Sequence, residues 1–252
     1  MVIDLVLNNK NILFYGLLLA LILISSCAPP SQVAVFERPI VSSQVEVERL
    51  GGQRIHIIKA GDTLYSIAFS NRLNVNTLAA WNNVTDTSRL AIGQRIRLTK
   101  PSGFLTDKKV VVIKNNDRKL YIQNRITYPQ KAPIWSWPTK GKVTKLFAPS
   151  QGQQGVNIEG RLGQEILTTS KGEVVYVGNG LKGYGNLIII KHSDQYLSAY
   201  AHNQKTFVRE GQHIKAQTKI ATMGKSKNKE TTLHFQIRKN GKPVDPMKYL
   251  PG

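Results

Sequence analysis

Residues 233–238, Leu-His-Phe-Gln-Ile-Arg, are closed by Asn240-Gly241 and read as a β-strand ending in a tight turn. Working outward, Gly172-Glu173-Val174-Val175-Tyr176-Val177-Gly178 is β-prone and bounded by glycines. Gly183-Tyr184-Gly185-Asn186 is a turn, and Leu187-Ile188-Ile189-Ile190 is a strand apolar enough to be buried on both faces. Tyr196 to Tyr200 is placed to pair with it across Ser193-Asp194. No long helical pattern follows Trp137-Pro138. The C-terminal half is therefore expected to be a mainly antiparallel β domain.

Upstream the pattern changes. His56-Ile57-Ile58-Lys59 is strand-like, and Ala60-Gly61-Asp62-Thr63 is a turn in which Asp62 is expected to cap a helix. Leu64, Ile67 and Ala68 then fall at helical spacing. Asn74 is placed to cap a second helix containing Leu78, Ala79 and Trp81, with Asn82-Asn83 as its stop. Trp81 lies on the apolar face of that helix and reads as core. Gly93-Gln94-Arg95-Ile96-Arg97-Leu98 alternates as a closing strand, which makes the order β-α-α-β. Lys59 to Ala68 resembles the opening of a LysM module, and Leu90-Ala91-Ile92-Gly93-Gln94-Arg95-Ile96 resembles its close. The resemblance implies binding of N-acetylglucosamine-containing glycans, peptidoglycan among them. Polar groups at Gly61, Asp62 and Thr63 suit acetamido hydrogen bonds, and apolar Leu64, Leu90 and Ile92 suit the sugar face.

The chain has 252 residues, 41% of them hydrophobic, and a formal net charge of +20. That length supports one large or two small domains. The charge suits an anionic partner such as lipid phosphate or an acidic wall polymer. One cysteine, Cys27, excludes an intrachain disulfide. The apolar run Ile12–Ile24 is too short for a comfortable span and fits the core of a signal peptide. Ile24-Ser25-Ser26-Cys27 resembles a bacterial lipobox, which implies lipidation of Cys27 after cleavage; an uncleaved anchor helix is the alternative. Ala28 after the cysteine leans toward the outer membrane, facing the periplasm. Export argues against a nucleic-acid partner. The expected layout is signal peptide 1–26, tether 27–53 broken by prolines, serines and Gly51-Gly52, LysM module 54–99, basic linker 100–133, and the β domain 134–252. The fold class is α+β, multidomain.

Trp137-Pro138-Thr139-Lys140-Gly141, Gly183-Tyr184-Gly185-Asn186, Tyr200-Ala201-His202 and Leu233-His234-Phe235 together resemble the blocks of lysostaphin/LytM-type zinc endopeptidases. That family keeps H-x-G-I-D and H-L-H-F where this chain has Gln153-Gln154-Gly155-Val156-Asn157 and Thr232-Leu233-His234-Phe235. By that resemblance Gln153, Asn157 and Thr232 stand where a histidine, an aspartate and a histidine belong, and only His202 and His234 remain. An amide is a poor zinc ligand, and a catalytic zinc usually has three protein ligands. The expectation is a degenerate site with no catalytic residues, no metal and no cofactor, unless Glu159, two residues beyond Asn157, rebuilds one. His56, His192 and His213 read as structural.

Lipobox, LysM module and degenerate LytM domain in series resemble NlpD-type murein hydrolase activator lipoproteins. That resemblance implies activation of a cell-wall N-acetylmuramoyl-L-alanine amidase at the division septum, by displacement of an autoinhibitory helix. Gln153, Asn157 and His202, with Lys182 and Tyr184 at the border, are then the expected partner-binding residues, with Thr232 and His234 beside them. Two other functions stay open: an active zinc endopeptidase cutting peptidoglycan cross-links, and a passive lipoprotein tethering the wall.

Overall fold

The two helices of the N-terminal module are short and are held by their caps. Helix α1, Leu64–Ser70, starts from Thr63, whose hydroxyl accepts from the Ser66 amide while the Ser66 hydroxyl accepts from the Thr63 amide. This reciprocal capping box satisfies two of the orphan donors at the helix start. The cap is thus Thr63 and not Asp62, as the sequence reading had it. The Asp62 carboxylate instead accepts from the Lys59 amide and lies 2.7 Å from Nε2 of buried His56. Helix α2, Val75–Trp81, is capped by Asn74, which accepts from the Asn76 and Thr77 amides, and it ends at Asn82.

The computed structural model describes residues 47–50, 53–87, 89–102 and 132–252. The stretch expected to be a signal peptide, Cys27, most of the expected tether and residues 103–131 of the expected linker lie outside the described residues. All described residues fall within one compact unit, Pro39–Gly252. Strand β1, Val47–Leu50, pairs antiparallel with β2, Gln53–Ile57, which pairs with β3, Arg95–Arg97. Strand pairing therefore begins inside the stretch expected to be tether. The module's core is Ile58, Leu64, Ile67, Ala68, Val75, Leu78, Ile96 and Leu98.

The C-terminal half is one antiparallel sheet. Its strands are β4 Val143–Lys145, β5 Val156–Glu159, β6 Glu165–Leu167, β7 Gly172–Gly178, β8 Asn186–Lys191 and β9 Tyr196–Thr206. They continue with β10 His213–Ile214, β11 Lys219–Met223, β12 Thr232–Lys239 and β13 Lys242–Val244. The order across the sheet is β10-β7-β8-β9-β12-β5-β4, with β11 pairing β6 and β9 and with β13 pairing β12.

Alternation along each strand gives the sheet two faces with different contents. Ile188, Ile190, Tyr200, Leu233, Phe235 and Ile237 enter the main core, together with Val156, Ile158 and Ile220. On the opposite face, Val175, Leu187, Ile189, Ala199 and Ala201 form a second cluster. His234, Gln236 and Arg238 alternate with the core residues of β12 and so share that second face. One face is thus a conventional core. The other carries the polar row that becomes the floor of a cleft.

Candidate functional site

Strand register brings the polar residues together. Asn157 of β5 is paired with His234 of β12, and His234 is paired in turn with Ala201 of β9. His202 follows Ala201 at φ +65°, a left-handed conformation uncommon for a residue with a side chain. Its backbone is fixed on both sides: its amide donates to the Tyr184 carbonyl, and its carbonyl accepts from the Gly224 amide. A Cβ on Gly224 would lie 2.6 Å from the His202 oxygen, so this close approach needs glycine. The two imidazole rings end 6.1 Å apart, centroid to centroid.

These residues line a cleft of about 330 Å³, with Gln153, Tyr184 and Gln236 on its walls. Lys145, Lys182 and Lys227 also face it, against one carboxylate, Glu230, which pairs with Lys145 at 3.4 Å. The cleft is therefore basic at its rim.

The hydrogen bonds along its floor have a fixed direction. Arg238 has only donors, and its Nε and Nη2 both donate to Gln236 Oε1, at 3.1 and 3.0 Å. The Gln236 amide is thereby oriented with its NH₂ toward the cleft, donating to the Tyr184 hydroxyl and to Nε2 of His234 at 2.9 Å. With Nε2 accepting, the neutral His234 ring carries its proton on Nδ1 and donates 2.7 Å to Asn157 Oδ1. That oxygen also accepts from Gln153 Nε2 at 3.0 Å. Burial pushes His234 down to about 4, and the nearby charges of His202, Arg238 and Lys145 act in the same direction. His202 is lowered too, by burial and then by Lys145. The centre is a neutral amide–imidazole network in which both His234 ring nitrogens, Asn157 Oδ1 and the Gln236 amide are engaged.

Of the residues singled out from sequence, Gln153, Asn157, His202, His234, Lys182 and Tyr184 all border this one cleft. Thr232 does not. It shares a strand face with His234, but it is buried and its hydroxyl donates to the Ile158 carbonyl. Glu159 is solvent-exposed and is not among the cleft-lining residues, so the carboxylate that was to rebuild the site is elsewhere. Among the described residues no three of His, Cys, Asp and Glu converge as a metal-binding group. The sequence reading missed Gln236 and Arg238. Their signal was the even spacing from His234 on one strand, which places 234, 236 and 238 on one face.

The residues expected to bind glycan separate. Gly61, at φ +85°, and Ile92 are exposed, and Asp62, Thr63 and Leu90 are half-buried on the same two loops. Those loops are joined by Ile58 and Gly93, whose backbones bond at 2.8 Å. Leu64 is fully buried in the module's core and cannot meet a sugar. The first residue of a short helix is readily counted as surface, yet here its side chain points back beneath the capping turn.

Residues 151–246 match Peptidase family M23, and residues 56–99 match the LysM domain. Over 255 residues the chain is 38% identical to the murein hydrolase activator NlpD of Escherichia coli, spanning 78% of this chain and 67% of that one. It is 35% identical over 276 residues to the lipoprotein NlpD/LppB homolog of Pseudomonas aeruginosa, spanning 96% and 92%. Among solved structures, a zinc-containing peptidase from Vibrio cholerae is 28% identical with a TM-score of 0.43, covering 48% of this chain and 41% of that one.

Proposed function

This chain belongs to the NlpD family of murein hydrolase activator lipoproteins, and from that premise we propose that it is a non-catalytic activator of an N-acetylmuramoyl-L-alanine amidase. The LysM module docks it on peptidoglycan, and the cleft of the M23 domain receives a segment of the amidase. Lipidation at Cys27 holds it in the envelope, facing the periplasm from the outer membrane, and its work is the splitting of septal peptidoglycan between daughter cells.

The observation that carries this reading is the fixed network at the centre of the cleft. A zinc ion does not fit it. Two of the three positions that would ligate the metal are neutral amides, at Gln153 and Asn157, and the third, His234, directs a proton from Nδ1 at Asn157. A catalytic zinc needs deprotonated donors and an open position for water. A cleft rimmed by Lys145, Lys182 and Lys227 and walled by Tyr184 retains the means to bind a polypeptide through hydrogen bonds, ring contact and charge.

The test is dye release from labelled sacculi by the mature protein alone, by an amidase alone and by both. Release is expected to rise only with both present, and the purified protein is expected to carry well under one zinc per chain. Release by the protein alone, abolished by His234→Ala together with a stoichiometric zinc, would establish a peptidase instead. No gain with any amidase of the same cell would sink the activator reading.

A further inference from the structure

Phe69 lies on helix α1 of the LysM module but does not belong to that module's core. It is 2% exposed, and it clusters with Val175, Leu187 and Ile189 on the cleft-bearing face of the M23 sheet and with Leu181 of the β7–β8 connection. Its ring meets Tyr184 edge-on, with centroids 5.5 Å apart, and the Arg238 guanidinium lies 3.3 Å from the ring centre. Its carbonyl accepts from Arg238 Nη1. A guanidinium stacked on an aromatic face out of water is a strong contact of its class. The two modules also touch elsewhere. A Cβ on Gly241, in the turn after β12, would lie 2.2 Å from the carbonyl of Leu73, so the turn and the α1–α2 connection are in close apposition. Tyr65 of the module and Lys191 of β8 line one small pocket.

Arg238 is where this contact reaches the cleft. It is 1% exposed, and its donors divide among Phe69 of the LysM module, Gln154 on the cleft wall and Gln236 on the floor. The Gln236 oxygen must face Arg238 because a guanidinium cannot accept. That choice leaves the Gln236 NH₂ to face His234 and so selects the tautomer His234 presents to Asn157. A buried guanidinium that lost its cover from Phe69 would turn toward water, and the Gln236 amide would be free to flip.

We propose that the docked LysM module is a working part of the cleft, with Phe69 clamping Arg238 as a positioning residue that fixes Gln236 and, through it, the orientation and tautomer of His234. The glycan-binding module and the partner-binding cleft are then mechanically joined. The consequence for partner binding rests on the activator reading above. The positioning claim does not.

The experiment uses the full mature chain. Phe69→Lys places a second cation beside Arg238 and should separate the modules. Because Phe69 lies outside the LysM core, binding to purified peptidoglycan should be unchanged. Nitrogen-15 imidazole spectra should show His234 as a single Nδ1–H tautomer in the parent and as an averaged mixture in Phe69→Lys. Backbone relaxation should show the modules tumbling together in the first and apart in the second. Arg238→Met should give the same mixture, and Arg238→Lys, still a donor without an acceptor, should restore the single form. Stimulation of the amidase should fall roughly 5-fold or more in Phe69→Lys. A separated Phe69→Lys protein in which His234 keeps its single tautomer overturns the proposal, as does a Phe69→Lys protein whose modules stay together. A parent that stimulates no amidase removes the activator reading while leaving the imidazole result to stand or fall independently.

Discussion

His192 shows at the residue scale how burial sets chemistry in this sheet. Its ring lies between strands, with Nδ1–H donating to the Lys171 carbonyl at 2.8 Å and Nε2 2.7 Å from the Ser198 hydroxyl. Trp135 packs edge-on against it. Burial pushes its pKa down to about 4, and the hydrogen bond to Lys171 offsets only part of that. The unfolded chain, with an ordinary histidine near 6.5, binds the proton more readily than the folded one. The stability from a neutral His192 is complete above about pH 6.5, falls as the pH drops through the interval to about 4, and is level below that. A shift of this size corresponds to about 3 kcal/mol. Urea unfolding at several pH values should show this decline, and His192→Asn, which keeps a donor for Lys171, should make it shallower while leaving the share that His234 contributes over the same interval. A parent protein as stable at pH 4.5 as at pH 7.5 would contradict the assignment.

At the scale of the element, helix α1 and its cap serve three ends within eight residues, Thr63–Ser70. Leu64, Ile67 and Ala68 face the module's own core, Phe69 faces the other domain, and Thr63, just ahead of the helix, caps its start. Leu64→Ala should therefore act through stability, costing roughly 2–5 kcal/mol as a core truncation. Ile92→Ala, at a side chain 75% exposed, should change stability by no more than about 0.5 kcal/mol and should weaken peptidoglycan binding. Chemical denaturation and a peptidoglycan pull-down on both variants check the pair. If Leu64→Ala bound less glycan at unchanged stability, the placement of Leu64 in the core would be wrong. The periodicity of α1 was readable because i, i+3 and i+4 apolar positions share a helix face. Which partner each apolar residue meets was not, since Ala68 and Phe69 are consecutive and look alike in pattern.

The whole molecule joins a module and a domain that could each be read separately. Their contact buries Phe69 and Arg238 completely, so opening it exposes an aromatic ring and uncovers a guanidinium whose pKa burial has pushed down to about 10. Calorimetry of the mature chain should show one cooperative transition, because loss of either part strips cover from the other. Phe69→Lys should resolve it into two. Two transitions in the parent would mean that the contact adds little to stability. The net charge of +20 works at the same scale, and attraction to anionic vesicles should weaken as salt rises.

Local patterns determined much of this protein. A β-prone run bounded by glycines was enough for β7, an unbroken apolar run for β8 and a strand closed by Asn240-Gly241 for β12, and helical spacing with Asn74 as a cap was enough for the LysM helices. The loss of ligand residue types at Gln153 and Asn157 is a property of the sequence itself. Position in space decided the rest. Asp62 and Thr63 are both good capping residues, and the Asp62 carboxylate is instead engaged by His56 and the Lys59 amide. Glu159 shares a strand with Asn157 yet faces solvent. Arg238 ends a strand in the sequence, and only the fold lays Phe69, from 169 residues earlier in the chain, across it. Periodicity reports which face of an element is apolar, because that depends on neighbours in sequence. Which distant surface covers that face depends on how the elements pack.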